Sequence, residues 1–334
     1  MRAKVMILAL SACAAFGQDA ARVFRVYHVD TEMDLNVFAT LIRGVSDLPN
    51  VSIDTERKSI SVSGSASQVA IAEWLFTELD RQTLPEFATK EFRVPTKDDD
   101  VVRVFFAPHT ATAEDFQEIA TTIRTIPDVR KVFTYNSPRA LVVRGTADQI
   151  AAVAFLIHEL DQPADAKRAD SREYQMIDPA NRGETAVRVF YLPYTSTVQQ
   201  FQEVATVTRT IGEVRRIFTY NATRAMIVRG TADQIAFIGW MVHELGKPVT
   251  PGTASSPYQY PRNDRDGENL VRVFYVKDVA TVQAFQQLAT QIRTQTKMRR
   301  VFTYNESKAI TLRGTEAQLA LAEQMLNDRQ IAAK

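Results

Sequence analysis

One pattern, written four times, constrains this chain more than any other feature. Val102-Arg103-Val104-Phe105 recurs as Val187-Arg188-Val189-Phe190 and Val271-Arg272-Val273-Phe274. Val132-Phe133-Thr134-Tyr135-Asn136 recurs as Ile217-Phe218-Thr219-Tyr220-Asn221 and Val301-Phe302-Thr303-Tyr304-Asn305. Arg144-Gly145-Thr146 recurs as Arg229-Gly230-Thr231 and Arg313-Gly314-Thr315, and a fainter first copy carries Arg22-Val23-Phe24 and Ser63-Gly64-Ser65. The equivalent glycines at 64, 145, 230 and 314 are 81, 85 and 84 residues apart. Regular spacing through whole copies means duplicated structural units.

Each copy reads as strand, helix, strand, strand, helix. In the third, Val187 to Leu192 is rich in β-branched and aromatic residues and predicts a strand. Val198, Phe201, Val204, Ala205 and Thr208 follow at helical steps, so Thr197 to Thr210 predicts a helix. Arg216 to Tyr220 and Ala225 to Val228 read as two strands joined by a tight turn, Asn221-Ala222-Thr223-Arg224, with Asn221 suited to the left-handed region. Thr231…Gln234 then has the form of a capping box. The same box stands at Ser65…Gln68, Thr146…Gln149 and Thr315…Gln318, which makes Ser65, Thr146, Thr231 and Thr315 helix caps. Gly246, through left-handed freedom, and Pro248 end the third copy's last helix, and Asn327-Asp328-Arg329 is expected to break the fourth's.

Short apolar pieces, Glu91-Phe92-Arg93-Val94, Glu173-Tyr174-Gln175-Met176 and Tyr258-Gln259-Tyr260, follow the linkers and predict an extra strand before copies two to four. Pro95 and Pro261 would truncate it. The expectation is an α+β chain, a tandem array of βαββα modules over 18–83, 90–165, 172–249 and 257–331, each with a small, mostly antiparallel sheet and two helices on one face.

Residues 1–17 read as a secretory signal peptide: Arg2 and Lys4, an uncharged stretch from Val5 to Ala15, and small residues before a cut after Gly17. Alternatively, Leu10-Ser11-Ala12-Cys13 resembles a lipoprotein box, with Cys13 lipidated. No other stretch is apolar and long enough to span a bilayer, so the mature chain is expected to lack a transmembrane segment. Removing residues 1–17 leaves 38 basic against 39 acidic residues. A balance this even gives no support to nucleic acid as a partner.

His158 and His243 occupy the same repeat position near a helix end, where a histidine favours the helix dipole. With His28 and His109 they form no zinc-binding pair at helical spacing. Glu114-Asp115 stands at a helix start, and Asp98-Asp99-Asp100 in a solvated turn. Phosphate-cradling, dinucleotide and serine-nucleophile motifs are absent. No catalytic residue, metal site or cofactor is expected.

Leu141 to Pro163, with Asn136 in the preceding hairpin, resembles the repeated periplasmic N-domains of bacterial secretins, the channel proteins of type II and III secretion and type IV pili. Asn136, Arg144, Gly145, Thr146, Gln149, Leu160 and Asp161 carry the likeness, which extends over the four copies. It implies a βαββα fold related to the KH fold, ring-forming side-by-side packing, and contacts with envelope machinery. Gly145-Thr146-Ala147-Asp148 is not the Gly-x-x-Gly loop of nucleic-acid-binding KH domains. The third copy has Gly246 where the second has Asp161, the first has Ser63 for the arginine, and the secretins' C-terminal channel region has no counterpart among the four copies.

The strands suggest a docking face. If Val187 and Val189 point toward the helices, Arg188 and Phe190 point away; Met226 and Val228 face in while Ile227 and Arg229 face out. Arg216, Phe218 and Tyr220 add to one face, and arginine beside aromatics suits an interface centre. Arg103, Arg188, Phe190, Arg229, Arg272 and Arg313 are therefore the candidate protein-interaction residues. The alternative has Phe218 and Tyr220 in the core and the arginines solvated. The reading is an exported, non-enzymatic interaction array, periplasmic with outer-membrane association open, serving a secretin or pilus apparatus. Its partners are other envelope proteins, with a homo-oligomer open. The alternatives are a self-assembling envelope protein forming rings or stacks, and an enzyme.

Overall fold

The computed structural model describes residues 20–25, 32–80, 85–94, 100–136, 139–177, 182–261 and 267–332. The signal-peptide and Cys13 readings, His28, Asp98 and Asp99 lie outside the described residues.

The chain divides into two compact units, 1–166 and 167–334. In the first unit, module one comprises β1 (Ala20–Arg25), α1 (Glu32–Ser46), β2 (Asn50–Asp54), β3 (Ser59–Gly64) and α2 (Ala66–Leu79). Module two comprises β4 (Phe92–Arg93), β5 (Val101–Phe106), α3 (Ala113–Thr125), β6 (Lys131–Tyr135), β7 (Ala140–Gly145) and α4 (Ala147–Leu160). The second unit repeats this. Module three has β8 (Tyr174–Gln175), β9 (Ala186–Tyr191), α5 (Val198–Ile211), β10 (Arg216–Tyr220), β11 (Ala225–Gly230) and α6 (Ala232–Leu245). Module four has β12 (Tyr258–Gln259), β13 (Leu270–Tyr275), α7 (Val282–Thr296), β14 (Arg300–Tyr304), β15 (Ala309–Gly314) and α8 (Glu316–Ala332). The sheets are antiparallel, ordered β1-β3-β2, β4-β5-β7-β6, β8-β9-β11-β10 and β12-β13-β15-β14. The predicted extra strands are present, two residues long.

The glycine-and-glutamine motif is a stitch. Thr231 Oγ1 accepts from Gln234 N, and Gln234 Oε1 accepts from Thr231 N at 3.0 Å. The Gln234 amide nitrogen then donates to Gly212 O and Glu213 O, just past the end of α5. One side chain therefore satisfies orphan groups at two helix ends. Gln68, Gln149 and Gln318 act alike, reaching Asp47 O, Asp128 O and Thr296 O. The glycine before each cap makes room: a Cβ at Gly64, Gly145, Gly230 or Gly314 would lie 2.7–2.9 Å from that glutamine's Oε1.

Three local expectations need correction. The left-handed residue of the hairpin turns is the last, not Asn221: Lys58, Arg139, Arg224 and Lys308 have φ of 47–54°. Gly246 is right-handed (φ −86°); a Cβ there would meet the Tyr194 ring at 2.8 Å, so close approach demands the glycine. Asn327-Asp328-Arg329 does not break the last helix, which runs on to Ala332.

Candidate functional site

The chemistry gathers at the joints between modules one and two, in the first unit, and between modules three and four, in the second. In each, the first helix of the earlier module lies on the sheet of the later one, α1 against β6 and α5 against β14. Because side chains alternate along a strand, β13, β14 and β15 offer one face to their own helices and the other to the joint. Phe274, Ile310 and Leu312 enter the core of module four, whereas Val271, Val273, Tyr275, Tyr304 and Ala309 join the core of module three. In the first unit Val102, Val104, Phe106, Tyr135, Ala140 and Val142 join the core of module one.

An arginine centres each joint. The Arg313 side chain is fully buried. Its Nε donates to Glu268 O at 2.9 Å, its Nη1 donates to Ile211 O at 2.8 Å, and its guanidinium stacks 4.2 Å from the Tyr260 ring centroid. Ile211 is the last residue of α5, so the cation sits where the helix leaves carbonyls unpaired and its dipole is negative. Glu213 stands 3.6 Å away and also pairs with Arg300, which bonds Glu268 at 2.7 Å.

Arg144 is the counterpart in the first unit. Its Nη1 donates to Val45 O at 2.7 Å and lies 3.2 Å from Asp47, while Nη2 pairs with Asp100 at 2.6 Å. Lys131 also pairs with Asp47. The hydrogen bonds that Arg144 donates to Asp100 raise its guanidinium pKa above the ordinary value, against the opposing pull of burial. Around these charges the contact is apolar. Phe38 and Tyr135 rings lie 6.0 Å apart. Gly44 leaves the space that Phe133 fills, since a Cβ would come within 2.4 Å of its ring.

Aromatics hold the second flank. Tyr260 donates its hydroxyl to Gly212 O and Tyr275 to Glu244 O, at 2.8 and 2.7 Å. Tyr258 of β12 packs on Trp240 of α6 with centroids 4.8 Å apart, as Phe92 of β4 packs on Trp74 of α2 at 5.4 Å. β4 and β12 thus each latch the later module of their unit to the second helix of the earlier one. Burial pushes Tyr304 up to about 12, with help from Glu306 and Glu203, and drives Tyr194 and Tyr275 upward too.

The structure separates the six candidate interaction residues. Arg103, Arg188 and Arg272 lie on the helix side of their sheets, with Phe190, and not on the outer face. Register explains the inversion: Phe190 is opposite Met226 and Arg188 opposite Val228, so each pair shares a face. Phe190 is fully buried, and a Cβ at Gly239 of α6 would lie 3.6 Å from its ring and 3.9 Å from Arg188 Nη1. Each of these arginines stacks on the phenylalanine two residues on, at 4.9–5.1 Å, and donates Nε to a linker carbonyl, of Thr89, Ser171 or Ser255, at 3.0 Å. They anchor linkers. Arg229 lies on the outer face, buried, and donates to Glu184 O and Ile177 O. Tyr220 is buried and Phe218 half-buried. Sequence reasoning missed Asp47, Glu213 and Glu268, and it placed Asp100 in a solvated turn, whereas Asp100 pairs with Arg144 and its side chain is only 15% exposed. A signal for Asp47 and Glu213 was available, because an acid follows the first helix of three copies, Asp47, Asp128 and Glu213.

Among the described residues no group of three or more His, Cys, Asp or Glu is placed to hold a metal ion, and no helix is long and apolar enough to cross a membrane.

No family model matches the sequence, and no curated protein matches it. Solved structures do. ExeD of Aeromonas hydrophila is similar at 16% identity over 69% of this chain and 41% of its own, with a TM-score of 0.17. The N-terminal domain of the secretin XcpQ from Pseudomonas aeruginosa is similar at 15% identity over 68% of this chain and 100% of its own, with a TM-score of 0.22. The type II secretion system secretin GspD of E. coli K12 is similar at 14% identity over 69% of this chain and 39% of its own, with a TM-score of 0.16. This chain spans about two fifths of the length of the ExeD and GspD chains. A protein of unknown function from Aeropyrum pernix is similar too, at 16% identity over 43% of this chain and 84% of its own, with a TM-score of 0.24.

Proposed function

We propose that this protein is a non-enzymatic, exported array of protein-interaction modules, with boundaries at 18–83, 90–165, 172–249 and 257–331, that serves as an accessory or assembly component of a secretin-type secretion or type IV pilus apparatus. The single observation that carries this reading is the joint. A buried arginine, aromatics and a helix end form a protein-binding surface from one repeated motif, and Arg313 in its socket is the clearest case. The motif's likeness to secretin N-domains supplies the secretion context. The periplasm follows from the signal-peptide reading, with outer-membrane association or Cys13 lipidation as finer forms of it. On this reading Arg229 belongs to the same kind of surface as Arg144 and Arg313, while Arg103, Arg188 and Arg272 serve it by fixing the linkers.

The test is crosslinking in intact envelopes followed by identification of the adduct. A secretin or pilus-assembly protein is the expected adduct; adducts restricted to this chain itself would favour the self-assembling alternative, and catalytic turnover by the purified protein would overturn the non-enzymatic assignment.

A further inference from the structure

The joint needs two halves. One is a first helix with apolar side chains and an acid just beyond its end: Leu41, Val45 and Asp47 in module one, and Val207, Ile211 and Glu213 in module three. The four apolar residues are buried. The other half is the outer sheet face: Lys131, Phe133, Tyr135 and Arg144 in module two, and Arg300, Phe302, Tyr304 and Arg313 in module four.

Module four lacks the first half. Gln291, Gln295 and Lys297 occupy the positions of Val207, Ile211 and Glu213, and all three are exposed. A lysine there would repel the arginine that the acid attracts. Module one lacks the second half. Asn50, Ser52, Asp54 and Ser63 stand where module four has Arg300, Phe302, Tyr304 and Arg313. Its outer face holds a groove of about 400 Å³ lined by Asn50, Ser52, Ser61 and Ser63 together with Ala21 and Val23, and Val23 is 52% exposed. Module two keeps Ile126 and Asp128 of the helix half, with Thr122 at the position of Val207, and module three keeps Arg216, Phe218, Tyr220 and Arg229 of the sheet half.

We infer that modules one and four are chemical caps: each has had its outward half of the joint replaced by polar or charge-reversed residues, so that copies of this chain do not add head to tail through the joint. A heterologous surface that repeats without closing builds open fibres. The altered sheet face of module one and the altered helix of module four are the two complementary halves that a joint between copies would bring together.

Two singly restored full chains test this. One carries Gln291→Val, Gln295→Ile and Lys297→Glu; the other carries Asn50→Arg, Ser52→Phe, Asp54→Tyr and Ser63→Arg. Each alone is expected to sediment as wild type, and an equimolar mixture as a complex with the mass of two chains that grows no further. A mixture of folded variants that stays at single-chain mass overturns the inference, as does wild-type protein that polymerises and is dispersed by altering these seven positions. If a restored chain does not fold, the reverse change decides. Val207→Gln, Ile211→Gln and Glu213→Lys in module three impose the cap on a working joint, and amide exchange in β14 should speed by about a hundredfold. Unchanged protection there overturns the inference.

Discussion

At position 230 a Cβ would lie 2.8 Å from Gln234 Oε1, and that oxygen is the acceptor that closes the cap of α6. Sequence alone showed the glycine and the threonine–glutamine capping box; it did not show that the glycine makes room for the glutamine or that the glutamine has a second partner. The glutamine's second contact, with the loop after the preceding helix, is tertiary and leaves no local trace. Gln234→Ala should cost about 1–2 kcal/mol, from the cap and the buried stitch together. Gly230→Ala should cost about 1–3 kcal/mol by overpacking. In the double variant the clash loses its partner, so urea unfolding should show a total well below the sum; simple additivity would remove the explanation for the glycine. Arg313→Lys tests the socket. A lysine keeps the charge but loses the fork that serves Glu268 O and Ile211 O together, at a cost of about 3 kcal/mol by the same measurement.

Strands were legible as strands, but the side each presents was not. Val187-Arg188-Val189-Phe190 alternates, and its alternation has no absolute phase until a neighbour fixes it. Hydrophobic valines were assigned to the core and the arginine–phenylalanine pair outside. In the fold both sides are buried, Val187 and Val189 as fully as Phe190, so hydrophobicity could not choose. Stacking of Arg188 on Phe190 at 4.9 Å let a cation lie beside the core. The joint also has a pH signature. Tyr304 is pushed up to about 12 by burial, so the native state holds its proton more tightly than the unfolded chain does. The stability this contributes is complete below pH ~10 and is lost as pH rises through about 12. Tyr275 works in the same direction, through burial and its bond to Glu244 O. Alkaline titration followed by tyrosinate absorbance and fluorescence should find the joint of modules three and four opening in that window. Tyr304→Phe should move the loss to higher pH.

The fourfold duplication was readable from end to end, since glycine spacing is a property of the whole chain and survives local divergence. The grouping into two compact units, 1–166 and 167–334, was not, because the linker residues that separate modules differ little from one another. Each unit has its own joint and apolar clusters. Fragments 20–166 and 167–334 should therefore each fold alone and melt in a single cooperative calorimetric transition. A fragment with a molten, non-cooperative profile would show that a unit depends on the rest of the chain.

Both described joints run the same way, with the helix of the earlier module entering the sheet of the later one. Each joint therefore has a sense of direction written into it, like an arrow rather than a bar. Module one carries a serine-rich sheet surface and module four a glutamine- and lysine-bearing helix, and neither matches the other. A binder that recognises one of these surfaces finds no copy of it on the other, so it would tell module one from module four.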